Sequence, residues 1–437
     1  MILGHIKTGG STSTCNARAF RVCSAVPANG MAGPIPLLKS LLAALVVTFI
    51  QLSVAVFVLA PAGNLSQRYL SLNQHDSFWF RNIVDRGYNT TFPPPDYKAV
   101  EIANVAFFPA YPGVAALLRN GLRISSDQAL LITAQVAAFG FWSYFFLFCE
   151  RWNLSPTLQF FGALLIVSHP AAFFLIAGYS EALFLVTLFG FIYWSSTEGA
   201  RARAIAAAHG ILMSATRLVG IACCVFPLVR SVLATGWNGL RDIGTWFRRH
   251  ATAFLLMITA MSGALAFFAY CQFRWGHWNM YMLTQEASWG LQPDYFAVLR
   301  PSSYRWVLPA LDYPTQVSQS AMTIGALLLV VIAICELLPA VRQSPNRPMR
   351  IGIYFCAMAI YYISVSGVAC VNMESMLRYE FCVHVLIVLG VLSLLSRFRL
   401  PIWTRNVGAW SVVLFSAIGL SVQAWCIWNF TRGYWIA

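Results

Sequence analysis

Charged residues are scarce in this sequence. Only 10% of its 437 residues are Asp, Glu, Lys or Arg, whereas 59% are hydrophobic. An ordinary soluble domain carries about 25% charged residues. So few charges cannot cover a water-exposed surface, which excludes a soluble globular protein. Lipid is therefore the solvent for most of the chain, and we predict an all-α integral membrane protein with about eleven transmembrane helices in a single domain, 38–437.

Acidic residues are the scarcer of the two charge types, with 15 Asp and Glu against 29 Lys and Arg. In a soluble protein this balance would suggest a nucleic-acid partner. Here the basic residues lie in short loops between apolar runs, as at Arg248 and Arg249 or at Arg347 and Arg350. This is the positive-inside pattern, so we predict the lipid bilayer as a partner and no nucleic acid.

Metal-binding and signal-peptide patterns are also lacking. The eleven cysteines form no C-x-x-C pair and no His/Cys cluster, and no Asp-x-Asp motif of the kind that binds nucleotide-sugars occurs. We therefore predict no metal and no cofactor, and a packing role for most cysteines. Residues 1–37 have no hydrophobic core of a signal peptide, and we predict a disordered cytoplasmic tail there.

Long apolar runs predict the helices, and one run is broken by a charge. Because an arginine at the bilayer centre costs about 2.5–3.5 kcal/mol, we divide the stretch 203–233 into two short spans that turn at Arg217. The other predicted helices lie at about 38–60, 127–149, 155–176, 180–197, 251–271, 320–341, 351–371, 380–396 and 409–429.

Orientation follows from the basic loops. With these loops in the cytoplasm, the loops 61–126 and 273–319 face outward, into the periplasm or the lumen of the ER. The segment 104–119, interrupted by Pro109 and Pro112, is expected to lie at the interface. The short loops favour a bacterial inner membrane, with the ER membrane as the eukaryotic alternative.

The few acids fall mostly in the predicted outward loops, where most of them only solvate the chain. Asp76 differs, because Trp79, Phe80 and Ile83 follow it at helical spacing. This spacing predicts a short amphipathic helix lying on the membrane. A carboxylate there can reach both lipid-borne and water-borne substrates, so Asp76 is a candidate general base. The other acids of these loops include Asp85, Asp96, Glu101, Glu286, Asp294 and Asp312.

Several motifs occur in a characteristic order. They are His75-Asp76-Ser77-Phe78-Trp79-Phe80 with Gly87-Tyr88, Phe107-Phe108-Pro109-Ala110-Tyr111-Pro112, Gly178-Tyr179-Ser180-Glu181, Arg217-Leu218-Val219-Gly220, Trp275-Gly276 through Gln285 to Trp289-Gly290, and Ser375-Met376-Leu377-Arg378-Tyr379. Over roughly residues 70–385 the chain resembles the PIG-V family, the GPI mannosyltransferase that adds the second mannose, together with its bacterial relatives. His75 departs from the family's usual Trp, and Arg274-Trp275-Gly276-His277 replaces a Gly-Asp-Pro-like stretch.

The resemblance implies a GT-C type glycosyltransferase. Such an enzyme moves a sugar, mannose in the family, from a polyprenyl-phosphate donor to a hydroxyl of a glycolipid or glycan acceptor on the outer face. Asp76 would then be the base, while Glu181 would stabilise the positive charge of the sugar or orient the acceptor. The candidate substrate-binding residues are Arg217 and Arg378 for the lipid phosphate, and Tyr88, Tyr111 and Tyr179 for the sugar.

Alternatives remain for the residues and for the function. The arginines could be headgroup anchors and the tyrosines part of an interfacial aromatic belt. A transporter or flippase of lipid-linked saccharides would also explain many spans, although it predicts repeats in matched halves that the sequence does not show. A scaffold without chemistry leaves the cluster of outward acids unexplained.

Overall fold

The computed structural model describes residues 34–89, 104–236, 242–304, 314–396 and 402–436. Within these residues the chain is helical and contains no β-strand. The helices are α1 (Pro34–Ser53), α2 (Leu65–Leu70), α3 (Asp76–Arg86), α4 (Ala110–Leu122), α5 (Ser126–Arg151), α6 (Pro156–Val167), α7 (Glu181–Ser195), α8 (Ala200–Ser214), α9 (Val219–Cys223), α10 (Phe226–Thr235), α11 (Ile243–Trp275), α12 (Met280–Trp289), α13 (Pro314–Leu337), α14 (Pro339–Arg342), α15 (Arg347–Val368), α16 (Met376–Leu395) and α17 (Ile402–Phe430).

The predicted class, an all-α multi-pass membrane protein, is confirmed. Among the described residues, seven helices are long and apolar enough to cross a membrane, and three further apolar segments are shorter. Each predicted apolar run contains a helix, and the turn predicted at Arg217 separates α8 from α9. The shorter helices include α6, whose 12 residues extend about 18 Å, less than the roughly 30 Å of a hydrocarbon core.

The helices pack both against sequence neighbours, as in the pairs α7–α8 and α15–α16, and against helices further along the chain, as in the pair α1–α5. α7 lies between α5 and α8, α8 packs on α11, and α16 packs on both α13 and α15. α16 is the most buried of the seven long spans, whereas α1 and α17 are the least buried and form the periphery. Large aromatic side chains of α5 and α7 fill the centre, including Phe141, Trp142, Phe145, Phe184 and Phe189.

The directions of the helices place the charged motif residues and the basic loops at different ends of the bundle. Glu181 is the first residue of α7, and Arg378 lies in the first turn of α16. The basic residues Arg201 and Arg350 instead lie in the first turns of α8 and α15. α8 follows α7, α15 precedes α16, and each runs in the direction opposite to its neighbour. The basic loops and the motif residues therefore occupy opposite ends of the bundle.

The helix predicted at Asp76 is present as α3, but its apolar face does not lie on lipid. Phe80 and Ile83 are buried, and the Phe80 ring lies 5.0 Å from Phe107 and 4.9 Å from Tyr111. The expectation that the apolar face of this helix lies on the membrane is wrong for Phe80, because Phe107 and α4 cover its ring. α4 itself has 13 residues and is about 20 Å long, shorter than the hydrocarbon core.

Some predictions fall on residues outside the described ranges. These include Asp96, Glu101 and Asp312, residues 1–33 of the expected cytoplasmic tail, and parts of both expected outward loops. The described part of that tail, from Pro34, already belongs to α1.

Candidate active site

A cavity of about 170 Å³ opens where four distant segments meet. These segments are the start of α3, the start of α7, the turn between α8 and α9, and the first turn of α16. Each contributes one charged side chain to the wall: Asp76, Glu181, Arg217 and Arg378 respectively. The structure thus brings together all four charged residues predicted for the site.

The four charges form two linked ion pairs. Arg378 Nη1 donates a hydrogen bond to Asp76 Oδ2 at 2.6 Å, and Arg217 Nη1 lies 2.7 Å from Glu181 Oε1. Arg378 Nη1 is also 3.8 Å from Glu181 Oε1, so Glu181 stands between two guanidinium groups. The contacts of Glu181 are ion pairs by charge and distance, without the alignment of a hydrogen bond. The cluster of two carboxylates and two guanidinium groups is formally neutral.

Accessibility distinguishes the two carboxylates. The side chain of Glu181 is 1% exposed, whereas that of Asp76 is 18% exposed. The side chains of Arg217 and Arg378 are only 12% and 7% exposed, so neither extends to lipid headgroups as a surface anchor would. Asp76 is therefore the charged group most open to an incoming molecule, and Glu181 is an internal counterion.

A close approach of two backbones places the start of α3 against the turn that leads into Glu181. The Ser77 hydroxyl donates to the Gly178 carbonyl oxygen at 3.0 Å, and the backbone N–H of Asp76 donates to the Tyr179 hydroxyl oxygen at 3.3 Å. A Cβ atom on Gly178 would stand 1.9 Å from Asn73 Oδ1. The same Cβ atom would stand 2.9 Å from Ser77 Oγ, so a side chain at this glycine would displace both Asn73, which precedes α3, and Ser77.

The start of α16 holds Arg378 in an unusual setting. The positive end of a helix dipole disfavours a cation in the first turn, and Asp76 and Glu181 offset this cost. Ser375, which precedes the helix with φ at +67°, accepts from Arg378 Nη2 through its hydroxyl oxygen at 3.1 Å. His75, just before α3, has φ at +50°. Strained backbone of this kind concentrates at functional sites.

Aromatic rings and a carboxylate stabilise the charge of Arg217. Its guanidinium carbon lies 4.9 Å from the centre of the Tyr379 ring and 6.0 Å from that of Phe184, within range of cation–π attraction. Burial by itself lowers the pKa of Arg217, but Glu181 reverses this effect and the net pKa lies above the ordinary arginine value. The side chain therefore carries its charge at every physiological pH.

The three candidate tyrosines have different positions. Tyr179 lines the cavity, and burial followed by the nearby Asp76 raises its pKa well above the ordinary value, so its hydroxyl stays protonated. The structure does not bring Tyr88 or Tyr111 to the cavity. Their hydroxyl groups donate instead to the carbonyl oxygens of Phe107 and Leu130, both at 2.8 Å. These two tyrosines stabilise the backbone through hydrogen bonds inside the protein.

Other cavity residues were not proposed from the sequence. Gln285 and Tyr379 lie within the quoted motifs, so a signal for them existed. Tyr281 has no such signal, and it reaches the wall because α12 packs on the segment around Ala106. The amide of Gln285 donates to the Ala106 carbonyl oxygen at 3.0 Å. Among the described residues, no group of three or more His, Cys, Asp or Glu side chains is placed to hold a metal ion.

No protein-family model matches the chain, and no curated protein sequence matches it. Among solved structures, it is similar to ArnT from Cupriavidus metallidurans bound to undecaprenyl phosphate, with 14% identity and a TM-score of 0.47 over 93% of this chain and 77% of that one. For the apo state of the same protein, the identity is 14% and the TM-score 0.44, over 92% of this chain and 76% of that one.

The chain is also similar to the archaeal oligosaccharyltransferase AglB from Archaeoglobus fulgidus, in complex with an inhibitory peptide and a dolichol-phosphate. The identity is 12% and the TM-score 0.44, over 91% of this chain and 56% of AglB. This chain therefore spans little more than half the length of AglB. Similarities at this level assign neither a substrate nor a site residue.

Proposed function

We propose that this protein is a membrane glycosyltransferase, with a GT-C-like fold, that moves a sugar from a polyprenyl-phosphate-linked donor to a hydroxyl of a glycolipid or glycan acceptor. The observation that carries the proposal is the meeting of Asp76, Glu181, Arg217 and Arg378 around one cavity in a membrane-embedded bundle. The resemblance of the motifs around these residues to the PIG-V family makes mannose the expected sugar.

Asp76 is the proposed general base. As the acceptor oxygen attacks the anomeric carbon, its proton passes to the Asp76 carboxylate, and the bond between that carbon and the phosphate oxygen breaks. The products are the glycosylated acceptor and the polyprenyl phosphate. Asp76 suits this role because its side chain is the most exposed of the four charged groups and stands at the cavity wall.

Arg378 and Arg217 are the proposed partners of the donor phosphate. The leaving phosphate gains negative charge as the bond breaks, and preorganised cations stabilise that charge most where water is excluded. Arg378 Nη1 is bound to Asp76 in the structure. A phosphate that attracts this guanidinium weakens its hold on Asp76, so donor binding leaves the carboxylate more basic when the acceptor arrives.

Glu181 is better suited to position the arginines than to touch the sugar. Its carboxylate is almost fully buried and lies within 4 Å of both guanidinium groups. It thus keeps two like-charged side chains close enough to bind one phosphate. Tyr179, with a protonated hydroxyl beside Asp76, remains a candidate for contact with the substrate.

The orientation of the site follows from the charges at the other end of the bundle. If the basic helix ends face the cytoplasm, the cavity opens on the periplasmic or lumenal side.

The test is transfer of radiolabelled mannose from polyprenyl-phosphate-mannose to a membrane glycolipid extract by the purified protein in detergent. Asp76→Asn keeps the size of the side chain and removes the base. We expect transfer to fall by about 10²–10⁴-fold, the usual contribution of a general base. Asp85→Asn is the matched control, because Asp85 lies on the same helix, away from the cavity lining, and pairs with Arg119.

The outcomes separate the parts of the proposal. Equal transfer by the parent and Asp76→Asn would remove Asp76 as the base and make Glu181 the next candidate. No transfer by the parent would contradict the proposed combination of donor and acceptor and favour the transporter alternative. A protein that moved the intact lipid-linked saccharide across vesicles without hydrolysis or transfer would instead be a flippase.

A further inference from the structure

The segment after α17 folds back onto the site. The Thr431 hydroxyl donates to the Ile427 carbonyl oxygen at 2.9 Å, and the Tyr434 N–H donates to the Asn429 carbonyl oxygen at 3.1 Å. Gly433, with φ at +85°, makes the turn. Ile436 is consequently 1% exposed while Tyr434 is 62% exposed. The turn thus directs Ile436 inward and leaves Tyr434 at the surface.

Trp435 contacts Arg378 and His75, the residue that precedes Asp76. Its ring meets that of His75, the neighbour of Asp76, edge to face at 4.9 Å. The guanidinium carbon of Arg378 lies 5.7 Å from the centre of the same ring. Trp435 is not among the residues that line the cavity, so it contacts Arg378 from outside the cavity wall.

Two more rings complete a cage around Arg378. Its guanidinium carbon lies 5.1 Å from the ring centre of Tyr179 and 5.5 Å from that of Phe174. Phe430, at the end of α17, packs on both of these rings and on His75. Tyr179 and Phe174 come from the segment before α7, so Trp435 is the member of the cage that the segment after α17 contributes.

A loose arginine is a poor phosphate ligand. Arg378 Nη1 is directed to Asp76 and Nη2 to Ser375, and Nε has no hydrogen-bond partner among the described residues. The three rings stand within cation–π range of the same guanidinium group, so Arg378 is held by aromatic as well as polar contacts. Rings that exclude water here also strengthen the pair with Asp76, because charge attraction increases as the local dielectric falls.

We propose that Trp435 is a positioning residue for Arg378, which it holds against Asp76 and ready for the donor phosphate. The proposal rests on the proposed glycosyl transfer for its effect on catalysis. It also assigns a role to the peripheral helix α17, which brings Phe430 and Trp435 to the site.

Kinetics of Trp435→Leu, Trp435→Phe and Trp410→Leu provide the first test. Trp410 lies on α17 and is 74% exposed, so its replacement is a control for loss of a tryptophan. For Trp435→Leu we expect the donor KM to rise about fivefold, as for loss of one cation–π contact, with an unchanged acceptor KM. Trp435→Phe should restore most of the donor KM because it keeps a ring. A fall in kcat alone, equal in both Trp435 variants, would indicate a merely structural role and overturn the proposal.

Chemical modification provides a test that does not depend on transfer. Phenylglyoxal reacts with accessible guanidinium groups, and mass spectrometry of peptides reports the reaction at Arg378. We expect faster modification of Arg378 in Trp435→Leu than in the parent, Trp435→Phe or Trp410→Leu. Equal rates in all four proteins would overturn the positioning role. If Arg378 is modified faster in Trp435→Leu but the parent shows no transfer, the result would support shielding of Arg378 by Trp435. It would also reject the proposed combination of donor and acceptor.

Discussion

Glu181 shows how one buried side chain can hold a charged site together. It is the counterion of Arg217 at 2.7 Å and lies 3.8 Å from Arg378. Removing one partner of a buried pair leaves the other charge in a low-dielectric surrounding, which costs far more than the pair itself contributes. Glu181 is therefore expected to matter for stability as well as for activity.

We expect Glu181→Gln to destabilise the protein by about 3 kcal/mol, because Arg217 would lose its buried counterion. The measurement is the thermal unfolding midpoint in detergent, which should fall by several degrees. Combining Glu181→Gln with Arg217→Met should recover part of the loss, since it also removes the unpaired charge. Glu286→Gln, at an exposed position, serves as a control with an unchanged midpoint. An unchanged midpoint for Glu181→Gln would show that Arg217 does not depend on this carboxylate.

At the scale of the elements, small residues decide how closely helices approach. Gly263 of α11 faces the backbone of α8, where a Cβ atom would stand 2.0 Å from the Ile211 carbonyl oxygen. The Ser214 hydroxyl donates to the Ala260 carbonyl oxygen at 2.6 Å across the same contact. In lipid, such close contacts and hydrogen bonds between helices replace the hydrophobic effect as the source of association.

Gly263→Ala should therefore destabilise the bundle by about 1–3 kcal/mol, because backbone atoms cannot move aside for the added methyl group. Lower yield of monodisperse protein and a lower unfolding midpoint are the observables. Gly113→Ala in α4 is the matched control, because no atom lies within 4 Å of the added Cβ there. Equal midpoints for the two variants would mean that α8 and α11 are less tightly packed than the structure indicates.

Across the whole molecule, the cavity and the basic helix ends lie on opposite sides. Cys370 is a natural reporter of this arrangement, because it is exposed and follows α15 at the cavity end. The other described cysteines are buried, apart from the partly exposed Cys335. Cys15 and Cys23 belong to the predicted cytoplasmic tail.

We expect a membrane-impermeant maleimide to label the protein in intact cells and to lose that labelling in Cys370→Ser. Labelling of Cys15 and Cys23 should require permeabilised cells, because positive loops and tails remain in the cytoplasm. Mass spectrometry of the labelled peptides distinguishes the sites. Labelling of Cys370 only after permeabilisation would reverse the proposed orientation and place the cavity on the cytoplasmic side.

The sequence by itself was sufficient to show that lipid surrounds most of the chain, where the helices lie and in what order the motifs occur. Hydropathy is a local property, so apolar runs predicted the helices, and Arg217 marked a turn because a charge inside a span is costly. The four charged candidates were also selected from sequence, since acids are scarce and the motifs resemble those of a known family. The local spacing of Asp76, Trp79 and Phe80 was sufficient to predict a helix there.

Only the tertiary structure decided which side chains meet. Asp76 and Arg378 are 302 residues apart, and the sequence shows neither their pairing nor the cage that Trp435 completes. In a membrane, faces toward lipid and faces toward protein are both apolar, so hydropathy does not reveal how helices pack. For this reason α3 was expected on lipid but packs on α4, and Tyr88 and Tyr111 brace the backbone away from the cavity.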